Sequence, residues 1–156
     1  MVIKKTAYFL LFIFILLLDQ ITKYSVLWYL DTPYLVSPYL TFDIMINRGI
    51  SWGLFNNYGN FAFYSITFMI ICIILSLILY TKQRLSQANR APIFGEILVI
   101  AGSVSNLIDR LYIHGVIDFI ALSYGKFTFP VFNIADIAIC FGVTIMLLQF
   151  FSESKS

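Results

Sequence analysis

Charged residues are scarce in this chain. Its 156 residues include ten lysines and arginines and eight aspartates and glutamates, so that 12% are charged while 60% are hydrophobic. The net charge of +2 is too small to indicate a nucleic-acid partner, and no basic run with interleaved aromatics is present. With 16 phenylalanines and ten tyrosines, the composition excludes disorder and predicts an integral membrane protein of one domain, residues 1–156.

Familiar catalytic signatures are also missing from the sequence. It contains no HExxH, no paired cysteines, no P-loop and no GxSxG, so zinc, nucleotide and acyl-serine chemistry lack support, and we predict no metal and no cofactor. Cys72 and Cys140 lie inside apolar runs, where we expect small buried hydrophobic side chains. His114, the single histidine, stands beside Gly115 in a surface segment, which is more typical of a polar loop residue than of a base.

Long apolar stretches are what the chain has in abundance. Each of four is long enough to cross a hydrocarbon core of about 30 Å as a helix. We expect Pro92 in the first turn of the third helix, where its missing N–H costs nothing. The first stretch follows Lys4 and Lys5 as in a signal peptide, but it lacks a small-residue cleavage site, so we predict a permanent helix. The four predicted spans are about 7–24, 61–80, 92–111 and 131–151.

The basic residues predict an orientation. Six of them fall on one side of a four-span arrangement and four on the other, and the short Thr81–Ala91 connection is the most basic loop. By the positive-inside rule, both termini and this connection are cytoplasmic. The outer segments, 25–60 and 112–130, alternate apolar and turn residues, as in Tyr34-Leu35-Val36 and Phe127-Thr128-Phe129, which predicts short strands or hairpins. Trp28 and Trp52 fit an interfacial belt.

Two aspartates stand out in this apolar chain. Asp118 lies in an outer loop, and Asp136 lies three residues after Asn133 at the outer start of the fourth helix, with Pro130 at the helix entry. Ionisable groups near bilayer depth are expensive and mark functional sites. Two neighbouring carboxylates, with no thiol or serine nucleophile, indicate acid–base chemistry on water.

Other polar residues gather at the same ends of the helices. Asp19 and Lys23 are spaced for pairing on one face of the first helix, which is equally consistent with an ion pair that anchors a helix end. Asn106, Asp109 and Arg110 share a face of the third helix. The preceding run 101–105, Ala-Gly-Ser-Val-Ser, permits close helix packing, and we interpret its serines as structural. Glu96 lies in the first turns of that helix, where a negative side chain interacts favourably with the helix dipole, so it needs no catalytic role.

Four motifs in order resemble one family. They are Asp19-Gln20-Ile21-Thr22-Lys23, then Asn47-Arg48-Gly49-Ile50-Ser51-Trp52-Gly53, then Asn106-Leu107-Ile108-Asp109-Arg110 with Gly115-Val116-Ile117-Asp118-Phe119, and finally Phe129-Pro130-Val131-Phe132-Asn133-Ile134-Ala135-Asp136. Together they resemble lipoprotein signal peptidase (signal peptidase II), a bacterial inner-membrane aspartic peptidase. The chain departs from the family at Ala101, Ser105 and Trp52, where glycine, glycine and phenylalanine are common, which affects packing and pocket shape.

The resemblance implies an all-α membrane protein with four transmembrane helices, a small β-rich periplasmic cradle and a short interfacial helix, which we expect after Gly49. It implies that Asp118 and Asp136 are catalytic, near the periplasmic face, and that they activate water. Its implied partners are lipid-modified prolipoprotein signal peptides, cut just before the lipidated cysteine, and membrane lipids; we expect a monomer. The implied supporting residues are Asp19, Lys23, Asn47, Gly49, Asn106, Asp109, Arg110 and Asn133.

Two other functions remain open. Intramembrane Asp, Asn and Arg could line the pathway of a small proton- or ion-coupled transporter. A pathway needs polar groups at successive depths, whereas segments 68–79 and 139–148 are almost wholly apolar. A structural membrane subunit would explain Asn106 and Arg110, but not two further acids at the same interface.

Overall fold

Four helices and a small sheet make up the computed structural model, which describes residues 2–49, 59–86 and 92–154. Three of the helices are long and apolar enough to cross a membrane, and each carries apolar residues around its whole circumference, as a helix surrounded by lipid requires. The protein is therefore mostly helical and membrane-embedded. The helices are α1 (Val2–Tyr29), α2 (Gly59–Leu85), α3 (Phe94–Ile113) and α4 (Ile134–Glu153).

The remaining helix, α3, occupies the centre of the bundle. It packs against α1, α2 and α4, and it is the most polar of the four. Glycine permits its close approach to α4, because a Cβ on Gly102 would lie 2.5 Å from the carbonyl oxygen of Ala135. The predicted close packing by small residues is confirmed here. As α3 lacks the apolar composition of the other three, its crossing of the membrane stays a prediction.

The sheet is antiparallel, with its strands in the order β1-β2-β3-β4. It is built from both outer segments, as their alternating apolar and turn residues predicted. Its central pair joins β2 to β3 from Leu40 opposite Leu122 to Asn47 opposite Val116, with an irregularity between Phe42 and Met45. The strands are β1 (Tyr34–Ser37), β2 (Leu40–Asn47), β3 (Val116–Tyr124) and β4 (Phe127–Thr128).

Backbone hydrogen bonds fix the start of α4 to the sheet. The carbonyl of Phe132 accepts from the N–H groups of Phe119 and Ile120, at 3.0 and 2.8 Å, and the Phe132 N–H donates to the Ile120 carbonyl. Since α3 runs into β3 after only two residues, this junction brings the ends of α3 and α4 to the same strand.

Several expectations about element boundaries need correction. Residues 25–29 belong to α1 and not to the outer segment. Pro92 precedes α3, whose N-cap is Ile93, because the helix begins two residues later than the apolar run suggested. The Trp28 side chain is 82% exposed at the end of α1, and its place in an interfacial belt stays a prediction. Trp52 and the helix expected after Gly49 lie outside the described residues.

The cysteines were also wrongly predicted to be buried. Cys72 and Cys140 are both free thiols, but both are exposed on the protein surface. A small apolar side chain on the outside of a membrane helix contacts lipid tails, which are as apolar as a protein core. An apolar run therefore does not distinguish the inside of such a helix from its outside.

Candidate active site

The predicted site residues converge where α1, α3, β3 and α4 meet. Asp118 belongs to strand β3, so the loop expected for it is wrong, and its position in a paired strand holds it more firmly. It is 2% exposed. Asp136 lies in the first turn of α4 and is half-buried. The two carboxylates come from segments that the Phe132 bridge ties together.

Two amides hold the Asp118 carboxylate. Nδ2 of Asn133 donates to its Oδ1 over 2.7 Å, and Nδ2 of Asn47 donates to its Oδ2 over 3.0 Å. The Asn47 amide is itself oriented, because its Oδ1 accepts from the Gly49 N–H over 3.0 Å. Each oxygen of Asp118 therefore has one fixed donor.

The capping of α4 determines the position of Asp136. Asn133 is the N-cap, and its Oδ1 accepts from the Asp136 N–H over 2.9 Å while Oδ2 of Asp136 accepts from the Asn133 N–H over 3.3 Å. This reciprocal capping box satisfies two N–H groups that a helix start leaves free. Oδ1 of Asp136 accepts from Nδ2 of Asn106 over 2.9 Å. Asn133 thus serves both aspartates, one through its amide and one through its cap.

Lys23 lies at the centre of a hydrogen-bonded network that contacts Asp136 through Asn106. It is fully buried, and its ammonium group donates to Asp19 at 2.7 Å, to Asp109 at 2.8 Å and to Oδ1 of Asn106 at 2.7 Å. These three acceptors match the three N–H groups of lysine. The predicted pair of Asp19 and Lys23 is confirmed. Asp19 also accepts from the Ala135 N–H at 2.7 Å, which places a carboxylate at the N-terminus of α4.

Gln20 and Ser105 join this network, although the sequence reasoning assigned them no part in it. Nε2 of Gln20 donates to Oδ1 of Asp109 and to Oγ of Ser105, each at 2.9 Å, and Oγ of Ser105 donates to Oδ2 of Asp19 over 2.7 Å. The interpretation of Ser105 as packing alone is therefore incomplete. The available signal was its spacing, one residue before Asn106 and four before Asp109, on the polar face of α3.

Arg110 fixes the end of β2. Its guanidinium donates to the carbonyl of Arg48 at 3.4 Å and to the carbonyl of Gly49. Both carbonyls follow Asn47 directly, so Arg110 holds the turn from which Asn47 reaches Asp118. Its positive charge also faces both aspartates across the site.

A cavity of about 470 Å³ opens above the two carboxylates. Its volume is in the range of small-molecule and peptide side-chain sites. Asp118 and Asp136 line its polar end, together with Asn47, Asn106 and Arg110, and most of the remaining wall is apolar. The pKa of the Asp118 carboxyl is raised from 3.8 to about 7. The main cause is burial, and the second is the negative charge of Asp136. Further apolar wall residues are Ile70, Val116, Phe129, Phe132, Ile139 and Phe141.

Remaining side chains of interest lie apart from this cavity. His114 ends α3 in the left-handed conformation, with φ of 56°, and its ring packs edge-on against Phe63. Glu96 is buried in an ion pair with Arg84 at the far end of α3. Within the described ranges 2–49, 59–86 and 92–154, no group of three His, Cys, Asp or Glu side chains is arranged to hold a metal ion.

Comparison with known proteins gives a consistent result. The family model for signal peptidase (SPase) II matches residues 11–152. The chain is 34% identical to the lipoprotein signal peptidase of Geobacillus thermodenitrificans, covering 95% of this chain and 91% of that protein. It is 28% identical to the lipoprotein signal peptidase of Listeria monocytogenes serotype 4a, covering 95% of each. A solved structure of a bacterial membrane enzyme superposes with a TM-score of 0.78 at 26% identity, covering 96% and 90% of the two chains.

Proposed function

The chain belongs to the signal peptidase II family, and we propose that it cleaves the signal peptide from diacylglyceryl-modified prolipoproteins, just before the lipidated cysteine, as an aspartic endopeptidase. The observation that carries the aspartic mechanism is the pairing of Asp118 and Asp136 at the polar end of one cavity. Relatives named lipoprotein signal peptidase support the substrate class.

The two carboxylates act together on one water molecule. Carboxylates that face each other cannot both ionise cheaply, so the pair retains one proton near neutral pH. The raised pKa of Asp118 fits such a pair. The ionised carboxylate takes a proton from the water as it attacks the scissile carbonyl, and the protonated carboxyl donates its proton to the carbonyl oxygen.

The surrounding amides hold the two carboxylates in place without neutralising their negative charge. Among the described residues, the ion pairs involve Asp19, Asp109, Glu96 and Glu153, and neither Asp118 nor Asp136 has a cationic group within 4.0 Å. Neutral donors orient a carboxylate while leaving it able to exchange a proton. The supporting roles of Asp19, Lys23, Asn47, Gly49, Asn106, Asp109, Arg110 and Asn133 are part of this proposal.

The wall of the cavity suits a hydrophobic substrate. Apolar side chains such as Ile70, Ile139 and Phe141 continue from the carboxylates along α2 and α4. The signal peptide is apolar, and the lipidated cysteine that follows it carries acyl chains. The peptide and the acyl chains can both enter the site directly from the bilayer. Membrane lipids are therefore partners as well as surroundings.

The proposed topology has four spans, with α3 as the third, and both termini in the cytoplasm of a bacterial inner membrane. The exposed Trp28 at the site end of α1, and basic residues Lys82 and Arg84 in the last turn of α2 at the other end, support this orientation. The site then lies near the periplasmic face, beneath the sheet, in a single-domain enzyme that acts as a monomer.

The transporter alternative has lost its support. The relatives are named as peptidases, and the network around Lys23 occupies one end of the bundle, separate from the Arg84–Glu96 pair at the other end. In α4, beyond Asp136, the buried residues are Ala138 and Gly142, which offer no side-chain donor or acceptor for a conducted ion.

The decisive experiment is cleavage by purified, membrane-reconstituted protein. The substrate is a diacylglyceryl-modified prolipoprotein, and the same precursor without the lipid is its control. We expect Asp118→Asn and Asp136→Asn each to reduce turnover at least about 100-fold, since a positioned acid or base contributes about 10²–10⁴-fold. Asp31→Asn, at an exposed aspartate between α1 and β1, should keep wild-type turnover.

Two results would count against the proposal. Near-normal turnover by either site variant would exclude the aspartic mechanism. Equal cleavage of the lipid-free precursor would exclude the substrate class. A liposome flux assay on the same preparation tests the transporter alternative, and we expect no ion flux.

A further inference from the structure

Ser105 lies at the contact between α1 and α3, and its side chain is fully buried. Its hydroxyl donates to Oδ2 of Asp19 over 2.7 Å and accepts from Nε2 of Gln20 over 2.9 Å. The same Gln20 nitrogen lies 3.2 Å from the Ser105 carbonyl oxygen. A residue that only allowed close packing would need none of these polar contacts. The hydroxyl therefore makes two hydrogen bonds that an alanine side chain could not make.

A chain of short contacts leads from Ser105 to Asp136. Oδ2 of Asp19 accepts from both Ser105 and Lys23, Lys23 donates to Oδ1 of Asn106, and Nδ2 of Asn106 donates to Asp136. Lysine has only donors, so it forces Asn106 to present its oxygen to Lys23 and its N–H groups to Asp136. Two donors therefore orient this amide through Oδ1 of Asn106, Lys23 at 2.7 Å and Nδ2 of Asn133 at 3.2 Å, and Lys23 is the closer and the charged one.

We propose that Ser105 is a positioning residue, which holds the Asp19 carboxylate so that Lys23 stays in contact with Asn106 and Asn106 keeps donating to Asp136. The inference rests on the proposed function, because it concerns the geometry of the same aspartate pair. Without the hydroxyl, Oδ2 of Asp19 has Lys23 as its remaining side-chain donor. The ion pair then draws Lys23 towards Asp19 and away from Asn106.

Replacement of Ser105 by alanine and by glycine separates this role from packing. Alanine removes the hydroxyl oxygen and keeps Cβ as a methyl group, so the space left is too small for a water molecule and Asp19 loses a donor that nothing replaces. Glycine leaves a gap bordered by Asp19 Oδ2, Gln20 Nε2 and the residue-105 carbonyl. A water with two to four polar partners is stable in such a site, and it can restore the bridge. Yet glycine is the poorer helix former.

The two roles therefore predict opposite orders. If Ser105 positions Asp19, turnover of the lipid-modified precursor falls in the order serine, glycine, alanine, with Ser105→Ala reduced about 10-fold. If Ser105 only packs, Ser105→Ala is nearly unchanged and Ser105→Gly is the more impaired. Thermal unfolding of both variants measures the fraction of folded enzyme separately from its turnover. KM should change little, because Ser105 does not line the cavity.

The pH profile gives a second readout. Weaker donation from Asn106 disfavours the ionised form of the pair, so the acid limb of turnover moves to higher pH in Ser105→Ala. Loss of folded enzyme alone lowers the whole profile without moving this limb. The charged groups that face the pair are Asp19 and Lys23 from α1, Asp109 and Arg110 from α3, Asp118 from β3 and Asp136 from α4.

A matched control is Thr67→Val in α2. Thr67 is also buried, and its hydroxyl donates to the Phe63 carbonyl of its own helix over 2.8 Å. We expect turnover and pH profile like those of the wild type. Turnover of Ser105→Ala equal to or above that of Ser105→Gly would overturn the positioning role, while a wild type that still cleaves the precursor leaves the proposed function standing. A wild type that fails to cleave it overturns both.

Discussion

Central helix α3 carries a buried ionic cluster at each end, and the two clusters are built differently. At the start of α3, Glu96 pairs with Arg84 of α2, and Glu153 of α4 lies 3.6 Å from the same guanidinium. At its end, Asp109 shares Lys23 with Asp19 of α1. The first cluster joins α2, α3 and α4 and the second joins α1 and α3, and the buried charges in each require their partners.

Only the second cluster, around Lys23, is connected to further acidic side chains. Beyond Lys23, the carboxylates of Asp118 and Asp136 are held by neutral amides and face the 470 Å³ cavity. The smaller cavity, about 280 Å³, lies between the ends of α2 and α4 and has opposite charges in its wall, Arg84 and Glu153. Burial of charge is thus common to both ends. What distinguishes the candidate active site is a pair of carboxylates that the fold orients and does not neutralise.

Removal of Lys23 should produce the largest effect, because it damages both stability and activity. In Lys23→Met, Asp19 and Asp109 become buried carboxylates without a counter-ion, which costs about 3–5 kcal/mol of unfolding free energy. Asn106 loses its charged donor and keeps only the 3.2 Å contact from Asn133, so turnover of the folded fraction should fall about 100-fold or more. Thermal unfolding in detergent and cleavage of the lipid-modified precursor measure the two effects.

The control for this variant is Lys126→Met. Lys126 is exposed between β3 and β4, away from the network, so both measurements should match the wild type. If Lys23→Met unfolded early but its folded fraction cleaved at the normal rate, the cluster around Lys23 would be structural only. The difference between the two ends of α3 would then rest on the aspartate pair alone.

Disruption of the other cluster should affect stability alone. Glu96→Gln leaves Arg84 buried with one distant carboxylate, and we expect a loss of about 3 kcal/mol, at the lower end of the range for broken buried pairs. Turnover of the folded protein should stay within about threefold of the wild type, since Glu96 lies at the opposite end of α3 from the pair. The double variant Arg84→Met/Glu96→Leu, which removes both charges, should recover much of the stability. A tenfold loss of turnover in folded Glu96→Gln would mean that the two ends are coupled.

The sequence was most informative where one physical requirement dominates. A long apolar run favours a helix, so all four helices were found near their predicted positions. Strands at an interface must alternate, so both outer segments were recognised. The ends of the elements were less predictable, because the start of α4 depends on the cap at Asn133 and the end of α1 extends beyond the apolar run to Tyr29.

Contacts between elements were the harder part of the site to predict. Spacing identified Asp19 with Lys23, since both lie on one helix. The partners of Gln20 and Ser105 are more than 80 residues away along the chain, so no local pattern reports them. The strand position of Asp118 likewise depends on its pairing with β2. Motif resemblance predicted residues that the fold brings together, without showing which amide donates to which carboxylate oxygen.

The smallest expected effect is a pH dependence of stability at Asp118. Its folded pKa of about 7 lies above its ordinary value of 3.8, so the folded state binds this proton more tightly than the unfolded state. The resulting stabilisation is complete below about pH 4 and is lost as pH rises to about 7. We expect the unfolding free energy of the wild type to fall across that interval by an amount on the order of a few kcal/mol. Thermal unfolding of the wild type and of Asp118→Asn at about pH 4.5, 6 and 7.5 measures this change in stability.

The diagnostic quantity is the difference in melting temperature between the two proteins. It should move in favour of Asp118→Asn as pH rises, whatever its value at the lowest pH, because the variant has no proton to lose at this position. Asp31→Asn, at an exposed aspartate, should follow the wild type at every pH. A difference that stays constant, or moves in favour of the wild type, would mean that Asp118 titrates as an ordinary carboxyl. Burial of the ionised Asp118 carboxylate would then cost no more free energy than burial of the paired Glu96 carboxylate at the other end of α3.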